Sequence, residues 1–184
     1  MSRRIDKTNY YLDIAETVAE RSTCLKRKYG AIIVKNDSII ATRSDLIGAP
    51  RGVKDCLESG ECDRQNAERG MDYSNCLAVH AEQNAIISAS REQMIDSTLY
   101  LVGYEMVYHA VPKNTSNELG RPGLYPAEIK IEKVYVKDAE PCSLCKRLII
   151  NAGIKEVVVR HNKNPYVRIF NPKLWQIEDI TGGY

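Results

Sequence analysis

This sequence contains no long apolar run. None of its segments approaches the roughly 18 or more apolar residues of a membrane-spanning helix, so no membrane partner is expected. The N-terminal stretch MSRRIDKTNYYLD is charged and has no apolar leader region, so no secretory signal is expected either. Charge bias is also missing: 26 Lys plus Arg against 24 Asp plus Glu leave +2. Recognition of a nucleic-acid polymer calls for a clustered basic stripe. The basic residues here are scattered, and no such polymer is expected as a partner. No internal repeat or low-complexity segment is visible.

What is present is ordinary for a globular chain: 184 residues, 43% hydrophobic and 27% charged. That length fits one domain with a core of its own. Six cysteines could suggest a disulfide framework, but Cys142 and Cys145 stand at metal-ligand spacing and no leader is seen. The expectation is a reduced, cytoplasmic protein.

Apolar residues Tyr11, Ile14, Ala15, Val18 and Ala19 recur at helical spacing and predict a helix over 5–20. Two apolar runs, Ala31–Val34 and Ile39–Ala41, flank Asn36-Asp37 and predict a hairpin with a tight turn. Residues 54–76 are polar and read as loop with a short helix. Val79–Ala89 reads as a helix, STLYLVG and IKIEKVYVK as strands, Cys142–Ala152 as a helix stopped at Gly153, and EVVVR as a short apolar strand. Residues 104–128 hold three of the seven prolines and read as an insertion. Helix and strand alternate, which predicts an α/β fold with helices on both sides of a central sheet.

The chemistry is concentrated in two stretches, AVHAEQNAI at 78–86 and AEPCSLCKRLII at 139–150. Cys142 and Cys145 are three apart and can share one side of a first helical turn. A helix N-terminus lowers thiol pKa and favours thiolate. His80 opens the other helix and can supply a third ligand. Two thiolates, a neutral imidazole and Zn²⁺ sum to zero charge and leave a fourth position for water, the pattern of a catalytic zinc. Glu82 lies too close to His80 to be an easy second ligand and suits a general acid/base beside that water. Alone, Cys-x-x-Cys is also a structural half-site or a redox pair, and His-x-Glu alone is weak. Together, His-x-Glu followed by Pro-Cys-x-x-Cys is the zinc-deaminase signature.

VHAEQNAI with EPCSLCKRLIINAGIKEVVV, together with RSTCLKRKYGAIIVKNDSIIAT and GAPRG, resembles the zinc-dependent cytidine/deoxycytidylate deaminase superfamily, and within it the bacterial deoxycytidylate (dCMP) deaminases. The resemblance spans roughly residues 10–160. It implies a three-layer α-β-α sandwich around a mixed sheet of about five strands. It implies that His80, Cys142 and Cys145 hold zinc and that Glu82 shuttles the proton. The implied reaction is hydrolytic loss of ammonia at C4 of dCMP, giving deoxyuridylate for thymidylate synthesis. It also implies homo-oligomers, commonly hexamers, with dCTP and dTTP as effectors.

Two departures stand out. The family's Gly-Tyr-Asn-Gly before APRG is replaced by Asp45, Leu46, Ile47 and Gly48, and Ile47 cannot make the hydrogen bonds of the usual Asn. The 104–128 region is longer than the usual link. Candidate substrate contacts are Arg51 and Gly48 on the Gly-flanked loop, Ala81, and Tyr100, with Arg27, Lys28 and Arg64 as further phosphate donors; for Tyr100 and Tyr104 a core role is equally open. Cys56, Cys62 and Cys76 are candidates for a second metal site, and Cys24 for a small buried hydrophobe. Other readings stay open: deamination of tRNA adenosine, guanine or a riboflavin-pathway pyrimidine, or a zinc-stabilised nucleotide-binding protein without turnover.

Overall fold

A computed structural model describes residues 4–41, 50, 52–62, 64, 76–111, 128–136, 139–161, 166–176 and 180–181. Its spine is a sheet of six strands: β1 Lys28–Lys35, β2 Ser38–Ala41, β3 Thr98–Val111, β4 Glu128–Tyr135, β5 Glu156–Arg160 and β6 Val167–Phe170. Strand order is β2-β1-β3-β5-β6, with β4 paired to the far end of β3. Strand β3 runs antiparallel to β1 and parallel to β5, from Thr98 opposite Glu156 to Leu101 opposite Val159. The sheet is therefore mixed, as expected.

Helix α1, Lys7–Ala19, covers one face. Asp6 caps it by accepting from the Asn9 backbone N–H at 3.0 Å. Its buried stripe of Tyr11, Leu12, Ala15 and Ala19 packs on Ile32, Val34, Tyr100, Val102 and Val158. The alternate residues of the same strands, Ala31, Ile33, Leu99, Leu101, Val157 and Val159, face the other way. There they meet α3 (Ala81–Ile87), α4 (Arg91–Met94) and α5 (Ser143–Ala152). Strand periodicity of two thus splits the core into two layers and produces the three-layer sandwich. One further helix, α2 (Cys56–Ser59), is a single turn.

The β1–β2 turn has Asn36 at φ 48° and Asp37 at φ 63°, the two left-handed central residues of a type I′ hairpin. The Tyr11 hydroxyl ties α1 to this turn through the Asp37 carbonyl and carboxylate, both at 3.0 Å. Gly30 is where α1 and β1 touch: a Cβ there would meet the Ala15 carbonyl and lie 2.6 Å from the Ala19 nitrogen.

The structure shifts several boundaries. The helix expected over 79–89 is shorter, Ala81–Ile87, because His80 is extended at φ −66°, ψ 149° and serves as its N-cap. The region 104–128 is built in part from strands: β3 continues to Val111 and β4 begins at Glu128, paired from Tyr104–Tyr135 to Val111–Glu128. Residues 112–127 lie outside the described residues. Beyond EVVVR the tail adds β6, antiparallel to β5, and a 3-10 turn at Pro172–Leu174. Among the described residues no helix is long and apolar enough to cross a membrane.

A charged cluster locks α1 to β4 and β5. Arg160, 3% exposed at its side chain, donates to Glu16 and Asp13, each at 2.6 Å. Glu16 also accepts from the Tyr135 hydroxyl at 2.8 Å and pairs with Lys133. Burial pushes the Glu16 carboxyl up, but donors from Lys133, Tyr135 and Arg160 outweigh it and hold the group below its ordinary value. A carboxyl so lowered contributes stability above its unfolded pKa, and that contribution fades as pH falls through the folded pKa. Glu16→Gln is therefore expected to cost about 2–3 kcal/mol at pH 7 and clearly less near pH 3. Urea midpoints of both proteins at the two pH values check this; an equal gap at both would contradict it. Gly30→Ala is expected to cost about 3 kcal/mol or more, read as a lowered thermal midpoint, because the obstruction is backbone.

Candidate metal centre and active site

Two helix starts meet on the face opposite α1. His80 caps α3, and its extended backbone is fixed from both sides. Its N–H donates to Gln83 Oε1 at 3.1 Å, and Asn84 Nδ2 donates to the Val79 carbonyl at 3.3 Å. Cys142 caps α5, with φ −67° and ψ 168°, and Cys145 sits one turn in. The α5 ladder begins at Cys142, whose carbonyl accepts from the Lys146 N–H at 2.8 Å. At its other end the helix closes on Gly153, left-handed at φ 79°. Helix α3 packs against α5, which sets the two N-caps side by side.

His80 Nδ1 lies 3.5 Å from Cys142 Sγ and 3.4 Å from Cys145 Sγ. All three donor atoms fall within 4.8 Å of one another, the one such group of three or more among the described residues. Tetrahedral zinc, with bonds of about 2.0–2.1 Å to nitrogen and about 2.3 Å to sulfur, sets N and S about 3.6 Å apart. The observed spacings match, and the donor set is the imidazole and thiolates that zinc prefers. These residues fit the ion.

The electrostatics agree. The Cys142 thiol is pushed down to about 4, first by its hydrogen bond from Cys145 and, against burial, by His80. The fully buried Cys145 thiol is pushed up, first by that same bond to Cys142 and then by burial. Two adjacent thiols compete to ionise, and one thiolate suppresses the other unless a cation neutralises both. Hydrogen bonding to Cys142 also raises His80.

Glu82, 5% exposed, is within hydrogen-bond reach of Cys145. Burial raises its carboxyl above the ordinary value, with His80 opposing. The arrangement places a proton-accepting group inside a site that the sheet and two helices shield from water.

The structure brings together the sequence-predicted His80, Glu82, Cys142 and Cys145. Ala81 is fully buried in the first turn of α3, in the core layer beneath the site. Tyr100 points to the opposite face of the sheet, 5.1 Å between ring centroids from Tyr11, and serves the α1 core. Tyr104 is in the same layer, under the Lys133 ammonium. The core reading of both tyrosines is the one observed. Arg27 is paired with Glu105. Gly48, Arg51 and the Asp45–Ile47 departure lie outside the described residues.

Sequence reasoning did not single out Gln83 and Asn84, which hold His80 in place. The signal was present, since Gln83 occupies the capping-box position three residues into the helix. It also missed the bracket that β6 and the 3-10 turn place on the N-terminal end of α5. There Glu140 pairs with Arg168 at 2.8 Å and Lys146 at 3.6 Å, and Lys146 sits 5.5 Å over the Trp175 ring. No local pattern marks those contacts.

Known proteins show where this architecture occurs. The family described as cytidine and deoxycytidylate deaminase zinc-binding region matches residues 5–161. A deoxycytidylate deaminase of Mycobacterium phage D29 is 32% identical over 162 residues, 84% of this chain and 94% of the relative. The Schizosaccharomyces pombe and Saccharomyces cerevisiae deoxycytidylate deaminases are 30% and 29% identical over 85% and 82% of this chain. The chain spans only 37% and 36% of those two relatives' lengths. A solved dCMP deaminase of cyanophage S-TIM5, in complex with dCMP and dUMP, shares the fold: TM-score 0.50, 23% identity, 86% of this chain and 84% of that one.

Replacing His80 with Ala, or Cys142 with Ser, is expected to remove most of the zinc bound at this centre, because two donors cannot close the shell. Metal analysis of each variant after dialysis, compared with the unmodified chain, reads this directly. The paired N-caps, the three soft donors and the matched family together place this chain in the zinc-binding cytidine and deoxycytidylate deaminase family.

Proposed function

We propose that this chain catalyses zinc-dependent hydrolytic deamination of dCMP to deoxyuridylate and ammonia. The observation that carries the reading is the buried Glu82 beside an open, three-donor metal site. A closed structural site would use four protein ligands and have no need of that carboxylate. The dCMP assignment draws support from the phage relative, which this chain covers almost end to end.

His80, Cys142 and Cys145 hold zinc, which when bound activates a water molecule as nucleophile near neutral pH. Glu82 takes a proton from the attacking water and returns it to the amine that leaves C4. Its burial excludes bulk water and raises the carboxyl's proton affinity above the ordinary value, the direction a proton shuttle needs. Gln83 and Asn84 orient the His80 backbone, so imidazole and carboxylate keep their spacing through the reaction.

The remaining readings follow the same family. The whole chain, 1–184, is one deaminase domain, with an insertion around 104–128. Arg51 and Gly48 contact the nucleotide, and Ala81 lines the base site from the first turn of α3. The protein acts in the cytoplasm as a homo-oligomer, with dCTP and dTTP as effectors and no nucleic-acid polymer as partner.

Ammonia release is to be measured from dCMP, cytidylate, deoxycytidine, dCTP, adenosine and guanine, with zinc-loaded protein and with and without dCTP as activator. Turnover confined to dCMP is expected; turnover of another base instead would reassign the substrate. Glu82→Gln is expected to lower kcat by at least about 10²-fold with zinc content and fold retained. Unchanged activity in that variant would favour a nucleotide-binding protein over an enzyme.

A further inference from the structure

The two helix starts that form the metal centre are secured differently. His80 opens α3 with its backbone N–H held by Gln83 Oε1 at 3.1 Å. Cys142 opens α5 without a side-chain cap bond, although that turn carries two of the three donors. The first N–H groups of a helix have no partner within it, so an uncapped first turn is prone to fray. Here the hold comes from outside the turn. Glu140, two residues before Cys142, accepts from Arg168 Nη1 on β6 at 2.8 Å, and its other carboxylate oxygen lies 3.6 Å from Lys146 Nζ. Lys146 directly follows Cys145, and its N–H donates to the Cys142 carbonyl at 2.8 Å. The Glu140–Lys146 pair therefore spans both cysteines.

Lys146 breaks two local rules. It is 9% exposed, and lysine is almost never so buried unless paired. It also lies close to the N-cap of α5, where the helix macrodipole disfavours a cation. Specific partners offset both costs. Glu140 supplies the opposite charge, and the Trp175 ring lies 5.5 Å from the ammonium, a cation–π contact. Trp175 is set in turn by Phe170, 6.5 Å away between ring centroids, and both rings pack against the core layer that carries α3 and α5. The Pro172–Leu174 turn packs on α5 and delivers Trp175 there. A local rule broken in one helix and compensated from a distant segment marks a position that serves the site rather than the helix.

We propose that Lys146 is a positioning residue of the metal centre, gripped by Glu140 and Trp175 so that the Cys142 and Cys145 sulfurs keep the spacing to His80 that zinc needs. The proposal rests on the zinc-deaminase reading of the trio. Lys146 acts through the turn that it closes and not as a ligand, since an ammonium has no lone pair to offer. Outer partners that orient metal ligands change metal affinity by about 10–100-fold. The family match ends at residue 161, whereas Arg168, Phe170 and Trp175 come after it. The tail of this chain, β6 and the 3-10 turn, is thereby part of the support of its own metal centre.

The test compares the unmodified full chain with Lys146→Met, Glu140→Gln, the double variant and Trp175→Leu, each loaded with zinc and, separately, with cobalt(II). Competition with a chromophoric chelator reads zinc affinity, and the visible d–d bands of cobalt read ligand geometry. Lys146→Met keeps the stem and loses the charge; zinc affinity is expected to fall about 10-fold or more, with shifted cobalt bands. The double variant is expected to lose about as much as either single one, because the two side chains act as one unit. Trp175→Leu, on the half-buried tail, is expected to move both readouts in the same direction, and it decides the matter should Lys146→Met fail to fold. A role in stability alone would lower the thermal midpoint and leave chelator competition and cobalt bands unchanged. That result, or losses that simply multiply in the double variant, overturns the proposal. Neither readout uses a nucleotide, so zinc held tightly without dCMP turnover would count against the assigned substrate alone.

Discussion

Three soft donors must converge on one point although Cys142 follows His80 by 62 residues. No local structure can arrange that. The convergence needs two helices on the same face of one sheet, with their N-termini level. The register of the sheet supplies this frame: β3 lies between β1 and β5, and α3 and α5 pack over those strands. Zinc bonds tolerate errors of only about 0.2 Å, so the rigidity of the frame is itself a requirement of the chemistry. Gly30, the Arg160 cluster and the Tyr11–Asp37 contacts lie on the opposite face and never touch the site. Any effect they have on the site is indirect, through the stiffness of the sheet.

The two faces divide the labour. The α1 side carries the charged cluster of Asp13, Glu16, Lys133 and Arg160, where each buried charge has an opposite partner. The side of α3 and α5 holds an unbalanced group: two thiols, an imidazole and a buried carboxyl. In such a set one thiol is pushed down and its neighbour up, because each is hydrogen-bonded to the other. Affinity for a dication follows from the same physics, since both thiolates are favoured only once two positive charges are at hand.

The helices were legible because their signals are local. Tyr11, Ala15 and Ala19 recur with the period of a helix, and Gly153 ends α5 in the left-handed conformation that glycine adopts without strain. Asn36-Asp37 announced the hairpin for the same reason. The 79–89 helix was read too long because Val79 and His80 are apolar or neutral enough to extend the pattern, while capping geometry, not hydrophobicity, sets the true start. Strand β6 went unread because VRIF is short and half-exposed, and its pairing with β5 is decided only when the sheet forms.

The sequence by itself determined the site's chemistry. His-x-Glu and Pro-Cys-x-x-Cys mark the candidate ligands and the carboxyl beside them, because metal preference and helix geometry restrict which residue types and spacings work. Only the tertiary structure decided what faces what. Tyr100 is one residue from Leu99 and Leu101, yet alternation sends it to the α1 core while they support the face that carries α3 and α5. Lys26 and Arg64 are 38 residues apart in sequence with no motif joining them, yet the Lys26 ammonium donates to the Arg64 carbonyl at 3.2 Å once the chain is folded. Spacing along a chain constrains groups that share one turn of helix; groups on separate segments meet only where packing of the whole chain puts them.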